Sequence, residues 1–526
     1  MTLRPDPLLA GLLLAMTLAG CAPTLNLAVE RAPSHTLPVT ADTPLRTALA
    51  AQLPAEGSGF HLLADGHAAL AARLALAARA QRTLDVQYYL FHHDDTGKWV
   101  AAALLDAAAR GVRVRVLIDD IDTADKELGL ATLNAHPNIE VRLFNPFHTR
   151  STNLLVKGWQ ALTESVRLNR RMHNKAFIAD NQIGITGGRN IGNEYFDANP
   201  DLAFVDLDLM AAGPIVDAMS RSFDAYWNSE ATAPAAALPV RVSQDRLARA
   251  TARLRSFSAA RTASEYGRRV LATDPLPALL AGNRRWIQAP AELIVDPPDK
   301  ALNPDKSPSD LLVGQLAGLW IDPTRRALIV SPYFVPGPMG MAYFRYWRHT
   351  GVDITVLTNA YSASDVPLVH AGYANYREGL LEAGIRLYEL KPVAEPIGGR
   401  LRDLSRGSSR ASLHAKTFVF DDTHVFIGTF NFDPRSALLN TEMGIVVHSP
   451  ELARRVTAIA DDAMRPERSY ALELDIRTED HQVTRHLLWH DRHQGNARTQ
   501  TEEPETSPVQ RGLLRVLQSL PIEQHL

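Results

Sequence analysis

The sequence predicts an α/β protein made of two homologous domains that pack face to face and share one active site. Strands alternate with helices at βαβ spacing, which indicates mostly parallel or mixed sheets flanked by helices. The same alternation occurs in both halves of the 526-residue chain. One short polar motif also occurs in each half, and its two copies lie 241 residues apart, from His173 to His414. The chain therefore contains a duplicated domain and not a short repeat.

Length and composition agree with this division. The chain is too long for a single hydrophobic core, and its hydrophobic content of 46% is typical of a soluble globular protein. Its net charge of −3 provides no overall basic field for nucleic acid. The predicted segments are a signal peptide (1–20), a lipidated tether (21–60), a first domain (61–230), a linker and helical insert (231–312), a second domain (313–495), and a polar tail with a terminal helix (496–526).

The elements of the first domain follow from caps and periodicity. Asp65 can accept the free N–H groups of a first helical turn, so we predict a helix from there to about Ala80. Gly111 is a suitable end for a second helix. The remaining predicted elements are a strand over 83–91, that second helix over 98–110, and strands over 112–118 and 140–144.

The second domain repeats the order of the first. The predicted elements are a strand over 326–333, a helix over 341–350, a strand over 352–357, a helix over 372–383 and a strand over 385–390. Residues 232–239 are predicted to be a linker, 243–312 a helical insert with loops, 496–508 disordered, and 512–526 a short helix.

The repeated motif combines a histidine, a lysine two residues later, an aspartate five residues after the lysine, and an asparagine beyond a second strand. A spacing of two places histidine and lysine on the same face of a strand. The aspartates are followed by turn residues, and each asparagine lies in a loop that returns toward the histidine. The members are His173, Lys175, Asp180 and Asn190 in the first half, and His414, Lys416, Asp421 and Asn431 in the second.

This doubled pattern resembles the signature of the phospholipase D superfamily, His-x-Lys-x4-Asp followed by Gly-Ser-x-Asn. The family serine corresponds to Gly188 in the first copy and to Thr429 in the second, so only the second copy keeps a hydroxyl. The Gly-Gly-Arg-Asn-Ile-Gly run and the stretches 83–89 and 140–147 further resemble bacterial cardiolipin synthases that use phosphatidylethanolamine as donor.

The resemblance implies a role for each motif residue. By family precedent His173 is the nucleophile that attacks phosphorus, and His414 is the general acid and then the base; the sequence by itself does not order the two. Lys175, Lys416, Asn190 and Asn431 bind the substrate phosphate. Because lysine and asparagine can neutralise the phosphoryl charge, we expect no metal ion and no cofactor. The stretch 92–95 contains histidines and aspartates but lacks partner ligands at suitable spacing, so we interpret it as a polar loop.

A carboxylate is expected behind each imidazole to fix its tautomer. Glu442 matches the family position, and Asp206 is its counterpart in the first copy. Asp180 and Asp421 are also counted as catalytic candidates, and an alternative in which they hold the hairpin turns remains open.

The N-terminus predicts export. An apolar run over 8–19 is too short to span a bilayer and ends in Leu-Ala-Gly-Cys, with Cys21 as the only cysteine of the chain. This ending resembles a bacterial lipoprotein box, which implies lipidation of Cys21; the alternative is a buried free cysteine. Ala22 after the cysteine resembles an outer-membrane address. We expect a membrane-anchored lipoprotein that faces the periplasm.

These features favour a phosphatidyltransferase, specifically a cardiolipin synthase acting on membrane phospholipids such as phosphatidylglycerol and phosphatidylethanolamine. A hydrolytic phospholipase D that releases phosphatidic acid is the first alternative, because water could resolve the same intermediate. A nuclease of the superfamily is disfavoured by the anchor, the near-neutral charge and the lack of a basic aromatic stripe, so no nucleic acid partner is expected. The non-enzymatic alternative is a lipoprotein that only binds phospholipid.

Overall fold

The computed structural model describes residues 24–26, 28–38, 43–123, 126–150, 163–199, 201–319, 322–392, 410–479, 482–521 and 523. The predicted signal peptide and Cys21 lie outside these residues. No described helix is both long and apolar enough to cross a membrane.

The first half contributes a mixed sheet. Its strands are β1 (Gly59–Leu63), β2 (Thr83–Tyr88), β3 (Arg113–Asp119), β4 (Ile139–Phe144), β5 (Ala176–Ala179), β6 (Ile183–Gly187), β7 (Leu202–Val205), β8 (Asp208–Ala212), β9 (Thr232–Pro234) and β10 (Ile287–Gln288). Within the described ranges, nine of these strands form one sheet in the order β10-β1-β8-β6-β5-β2-β3-β4-β9.

The second half contributes a sheet of the same design. Its strands are β11 (Ala291–Val295), β12 (Arg326–Val330), β13 (Asp353–Asn359), β14 (Arg386–Leu390), β15 (Arg410–Leu413), β16 (Thr417–Phe420), β17 (His424–Gly428), β18 (Met443–His448), β19 (Ser469–Glu479), β20 (Gln482–His493) and β21 (Asn496–Gln500). Ten of them, in the part of the chain that is described, follow the order β11-β18-β17-β16-β12-β13-β14-β19-β20-β21.

The helices pack against the two sheets, and some of them contribute to the core that both halves share. They are α1 (Pro44–Ala50), α2 (Gly66–Arg79), α3 (Asp95–Ala109), α4 (Glu127–Asn134), α5 (Ser165–Leu168), α6 (Pro214–Trp227), α7 (Gln244–Ala263), α8 (Glu265–Ala272), α9 (Leu276–Leu280), α10 (Leu312–Gly318), α11 (Gly337–His349), α12 (Pro367–Ala374), α13 (Arg377–Glu382), α14 (Pro434–Leu438), α15 (Pro450–Ala463) and α16 (Pro508–Gln518).

Equivalent strands in the two sheets confirm the predicted duplication. Strands β2, β3 and β4 are parallel, as are β12, β13 and β14. Beside each parallel set lies an antiparallel hairpin that carries the motif, β5–β6 in the first sheet and β16–β17 in the second. One hydrophobic core contains side chains of both halves, among them Ile178 and Leu209 from the first and Val425 and Ile445 from the second. The two domains therefore pack face to face, as the fold class requires.

The prediction of a tether over 21–60 is wrong for its described part. Helix α1 and strand β1 belong to the first domain, where Leu45 and Leu49 are buried. The segment before α1 is held against the first domain by hydrogen bonds, because buried arginines need acceptors. Nη1 of Arg115 donates to the carbonyl of Ser34 at 3.0 Å. The lack of a regular apolar pattern in this stretch therefore does not indicate a free linker. The segment packs on the domain through its backbone groups.

The segments on either side of the second domain also differ from prediction. Residues 232–239, predicted as a linker, form β9 and a buried 3-10 turn. The predicted insert is not a separate unit, because β10 joins the first sheet and β11 the second. Disorder over 496–508 is wrong, since β21 pairs with β20 and Glu503 is buried against Arg377.

Candidate active site

Strand register across the domain seam brings each histidine beside a carboxylate of the other domain. Strand β15 pairs in parallel with β7, so that Leu413 lies opposite Val205. A parallel bridge joins Met172 to Thr441 in the same way. The next residues along these segments are His414 and Asp206 in the first case, and His173 and Glu442 in the second. The backbone of the seam therefore pairs the catalytic candidates.

The two imidazole–carboxylate pairs are crossed between the domains. Nδ1 of His173 lies 2.8 Å from Oε2 of Glu442, and Nδ1 of His414 lies 2.6 Å from Oδ2 of Asp206. The structure thus brings together the four residues that the sequence suggested. Among the described residues, each of these pairs takes its histidine from one domain and its carboxylate from the other.

The motif lysines are buried beside the histidines. Nζ of Lys175 donates to the carbonyl of His173 at 2.7 Å, and Nζ of Lys416 donates in the same way to the carbonyl of His414. Burial lowers the pKa of Lys175 to about 7 and that of Lys416 to about 8, although nearby carboxylates oppose the shift. Two such cations in a desolvated site favour an anionic ligand.

The pKa of each imidazole lies below the usual histidine value. Burial, followed by the charges of Lys175 and Lys416, lowers the pKa of His173 well below its usual value, and His414 adds to the effect. Burial and Lys416 also lower the pKa of His414, against the attraction of Asp206. Charges from both motifs therefore act on His173, as expected for one shared pocket. Because Nδ1 of each ring faces a carboxylate, Nε2 is the atom left for chemistry.

The two carboxylates differ in charge. Burial raises the pKa of Glu442 to about 7, against the attraction of Lys175. Burial also acts to raise the pKa of Asp206, but His414 and Lys416 outweigh it and lower that pKa to about 2. His414 thus faces a fully ionised partner, whereas Glu442 holds a proton for part of the time near neutral pH. An ionised carboxylate stabilises an imidazolium, so His414 is the better proton carrier of the two.

The residues at the family serine position, Gly188 and Thr429, explain why one histidine pairs with an aspartate and the other with a glutamate. The hydroxyl of Thr429 donates to Glu442. At Gly188 there is no room for a side chain, because an added Cβ would lie 2.1 Å from Oδ1 of Asp206. A glycine at this position therefore makes space for the shorter carboxylate that holds His414.

Replacing Gly188 by alanine is expected to push Asp206 away from His414 and to lower kcat by about 10- to 100-fold, the usual cost of losing such a supporting group. The measurement is steady-state kinetics on phospholipid vesicles. Gly129→Ala is the matched control, since nothing lies within 4 Å of a Cβ at that position. Equal kinetics for Gly188→Ala and wild type would show that Asp206 needs no such space.

The two motif asparagines differ in their contacts. Oδ1 of Asn190 accepts from the backbone N–H of Leu90 at 3.1 Å, and its Nδ2 donates to the hydroxyl of Tyr195 at 2.9 Å. Oδ1 of Asn431 is buried without a hydrogen-bond partner among the described residues. Oδ1 of Asn431 is therefore left to accept a hydrogen bond, while Asn190 holds the wall of the pocket.

The placement of Asp180 and Asp421 contradicts a direct catalytic role. Both lie at the turn of the motif hairpin, at the end of the strand opposite its lysine. Oδ1 of Asp180 accepts from the backbone N–H of Arg82 at 2.8 Å, and Oδ1 of Asp421 from that of Arg325 at 2.8 Å. Their φ angles of 52° and 51° are tolerated by aspartate in turns. They hold the hairpins, as in the alternative interpretation.

Aromatic rings that sequence reasoning missed form the walls of the site. Tyr89 packs edge-on to His173 with ring centroids 5.1 Å apart, and Tyr195 packs likewise on His414 at 5.2 Å. Phe204 contacts His414 at 4.9 Å. The run 83–89 contained Tyr89 but gave no sign of which face the ring occupies. These rings exclude water from the imidazoles.

A separate polar group lies near the pocket. His92 and Asp94 come together with Glu194, which the spacing within 92–95 could not reveal. Asp94 accepts from the backbone N–H groups of Gly97 and Asn193, so it caps α3. Glu194 is therefore a partner ligand that the interpretation of 92–95 as a polar loop did not include, and Asp94 also caps a helix.

A duplicated α/β domain, in which each motif histidine pairs with a carboxylate across the domain seam, is consistent with the phospholipase D superfamily. Comparison with known proteins narrows this class. The chain belongs to the family described as cardiolipin synthase, PLD-like domain, whose model matches residues 74–227 and 322–464.

Individual relatives agree with this assignment. The chain is 41% identical to cardiolipin synthase C of Escherichia coli (strain K12) over 456 residues, which cover 86% of this chain and 93% of that protein. It is 24% identical to the major cardiolipin synthase of Bacillus subtilis (strain 168) over 421 residues, or 80% and 71% of the two chains. The crystal structure of phosphatidylserine synthase from Haemophilus influenzae Rd KW20 has the same fold, with a TM-score of 0.53 at 15% identity, and the match covers 87% of this chain and 91% of that one.

Proposed function

We propose that the protein is a phosphatidyltransferase that makes cardiolipin from membrane phospholipids through a phosphohistidine intermediate. The observation that carries this proposal is the crossed arrangement of His173–Glu442 and His414–Asp206 beside two buried lysines. This arrangement places a nucleophilic imidazole, a proton carrier and two lysine ammonium groups in one site.

In the first half-reaction, Nε2 of His173 attacks the phosphorus of a phospholipid. An N–P bond forms and the P–O bond to the headgroup alcohol breaks. His414 enters this step as an imidazolium stabilised by ionised Asp206 and gives its Nε2 proton to the departing oxygen. Glu442 stabilises the charge that develops on the His173 ring. Lys175 and Lys416 neutralise the charge of the non-bridging phosphoryl oxygens, and the Nδ2 group of Asn431 donates a hydrogen bond to them.

In the second half-reaction, a hydroxyl of a second lipid displaces His173. His414, now neutral, takes the proton of that hydroxyl while the new P–O bond forms and the N–P bond breaks. With phosphatidylethanolamine as donor, ethanolamine leaves first. With phosphatidylglycerol as acceptor, the product is cardiolipin.

The burial of the site favours transfer over hydrolysis. His173 and His414 are only 7% and 5% exposed, and both lysines are buried. A nearly closed pocket limits the access of water to the intermediate, and a lipid hydroxyl held at its mouth then has the advantage of proximity.

We further propose that Cys21 is lipidated and anchors an exported protein at a periplasm-facing membrane surface, with the outer membrane favoured by Ala22. The support is the sequence Leu-Ala-Gly-Cys at the end of a short apolar run. Incorporation of radiolabelled palmitate tests this proposal. A Cys21→Ser variant labelled as strongly as wild type would contradict it.

Product analysis tests the proposed reaction. Purified protein is incubated with vesicles of phosphatidylglycerol and phosphatidylethanolamine whose ethanolamine is isotopically labelled, beside the double variant His173→Ala, His414→Ala. Cardiolipin with release of labelled ethanolamine is the expected result. Phosphatidic acid as the sole product would instead indicate hydrolysis, and DNA cleavage without lipid turnover would indicate a nuclease.

The pH dependence of kcat/KM is expected to show a basic limb between pH 7 and 9. The lysines are charged below their pKa values of about 7 and about 8 and lose that charge as the pH rises through them. Phosphodiester binding by the free enzyme therefore weakens toward high pH. In Lys175→Arg, which keeps its charge, the limb should begin at higher pH. A flat wild-type profile from pH 7 to 9 would contradict this account.

A further inference from the structure

The C-terminal helix α16 exposes apolar side chains to solvent. Val509, Leu513, Val516 and Leu520 are between 44% and 81% exposed. Their spacing of four, three and four residues places them along one side of the helix and of the turn after it. Leu514, on another side, is buried against the second domain. The helix is therefore apolar both where it packs and where it faces solvent.

Helix α11 has a second exposed apolar stripe. Met339, Tyr343 and Tyr346 are 50% to 74% exposed and are spaced by four and three residues. Met341 and Phe344, on the opposite side, are buried in the core of the second domain.

The end of α16 lies close to the start of α11. Oε1 of Glu523, just beyond α16, accepts from the hydroxyl of Tyr376 at 2.6 Å and would lie 3.3 Å from a Cβ at Gly337, the first residue of α11. Nδ2 of Asn375 donates to the carbonyl of Gln518 at 3.2 Å. We call the combined stripes the docking surface; its residues are Met339, Tyr343, Tyr346, Val509, Leu513, Val516 and Leu520.

The two helices of the docking surface are basic, although Arg511 pairs with Glu502 at 2.9 Å and Glu523 lies just beyond α16. Neither α11 nor α16 contains an aspartate or glutamate, although the whole chain has a net charge of −3. The basic residues of the two helices are Arg345, Arg348, His349, Arg511 and Arg515. Apolar side chains with tyrosine and arginine at their border are typical of segments that lie in the interface of an anionic bilayer. A second copy of this chain would bring like charges together.

The docking surface rests on loops that hold the active site. The backbone N–H of Val335, two residues before α11, donates to the carbonyl of Phe432 at 2.8 Å, and Phe432 follows Asn431. Helix α11 is thus tied directly to the loop of this phosphate-binding residue.

Helix α16 is tied to the second histidine. Leu514 packs on Tyr361, in the loop after β13. Asn359 at the end of β13 binds the backbone of Leu413 through both amide atoms, at 2.9 and 2.8 Å. Leu413 precedes His414, so both helices pack on loops that carry residues of the site.

We propose that the docking surface inserts into the headgroup region of an anionic phospholipid bilayer and seats the mouth of the pocket against its lipid substrates. The proposal deepens the proposed function by giving the site its orientation on the membrane. It does not depend on catalysis, because insertion can be measured in a His173→Ala background.

A fluorescent label tests insertion directly in the full chain. Leu513→Cys is labelled with nitrobenzoxadiazole in a Cys21→Ser, His173→Ala background, so that one thiol reacts. Leu271→Cys is the matched control, because Leu271 is 48% exposed on α8 and Leu513 is 50% exposed. On vesicles of phosphatidylglycerol and phosphatidylethanolamine, the label at 513 should shift to the blue and be quenched by spin-labelled lipid, while the label at 271 should not.

An unshifted label at 513 on vesicles overturns the proposal. So does a shift that appears without vesicles and grows with protein concentration, which would mean that another copy covers the surface. As a second test, the double variant Leu513→Asp, Val516→Asp should bind the vesicles at least about tenfold more weakly, because two apolar side chains no longer leave water. Leu271→Asp is its control, and equal binding by both variants would also overturn the proposal.

Discussion

Replacing His173 by alanine is expected to lower phosphatidyl transfer by roughly 10⁴-fold, because the intermediate can no longer form. His414→Ala should cost a similar factor with natural lipids but behave differently with a phosphatidyl ester of p-nitrophenol. That leaving group needs no proton, so His414→Ala should release about one nitrophenol per enzyme and then stop, since the base of the second step is missing. His173→Ala should release none.

This single release of nitrophenol, called the burst, therefore shows which histidine is the nucleophile and which is the acid. His136→Ala, a change outside the site, is the control and should retain wild-type turnover. A burst from His173→Ala and none from His414→Ala would reverse the assignment of nucleophile and acid. The different partners, Glu442 with a pKa of about 7 and Asp206 with one of about 2, are the physical basis for assigning His173 as the nucleophile and His414 as the acid.

Replacing Arg377 by methionine is expected to lower the free energy of unfolding by about 3–5 kcal/mol, the usual cost of leaving buried charges unpaired. Nε of Arg377 donates to Glu389 at 2.8 Å, and its Nη1 and Nη2 donate to Glu503 at 2.7 and 2.9 Å. Without the guanidinium, two buried carboxylates would face each other.

Urea denaturation measures this effect, with Arg386→Met as the matched control. Arg386 pairs with Asp353 at the surface, where both side chains are about half exposed, so its loss should change stability by less than about 1 kcal/mol. Similar denaturation midpoints for both variants would show that the buried contacts of Arg377 with Glu389 and Glu503 do not stabilise the fold.

Elements with long, regular patterns could be predicted from the sequence. The side chain of Asp65 caps α2 as expected, and Gly111 and Gly351 have φ of +93° at the ends of α3 and α11. The helix over 372–383 was predicted wrongly, because the chain breaks at Asn375 into α12 and α13. Pro367 at the start of α12 is the signal that could have placed its beginning.

Short or charged segments could not be predicted in this way. Strands β1, β9, β10 and β11 have two to five residues, too few for an alternating pattern to show. Glu503 lies in a polar, acidic stretch whose composition indicates disorder. Its partner Arg377 is 126 residues away, and a long-range ion pair of this kind leaves no local signal.

The candidate site was predictable in its residues but not in its connections. The duplicated spacing identified His173, His414 and their lysines, and Asp206 and Glu442 were both proposed as partners. That each carboxylate serves the histidine of the other domain depends on the pairing of β15 with β7, which no spacing within one domain contains.

Mass spectrometry of trapped enzyme tests the shared site most directly. His414→Ala is mixed with the p-nitrophenyl phosphatidyl ester, quenched at alkaline pH and digested with trypsin, which yields residues 172–175 with His173 and residues 411–416 with Ala in place of His414. A phosphatidyl group on the 172–175 peptide at about one per enzyme is the predicted result. An unmodified 172–175 peptide in an enzyme that has released its nitrophenol would contradict the account.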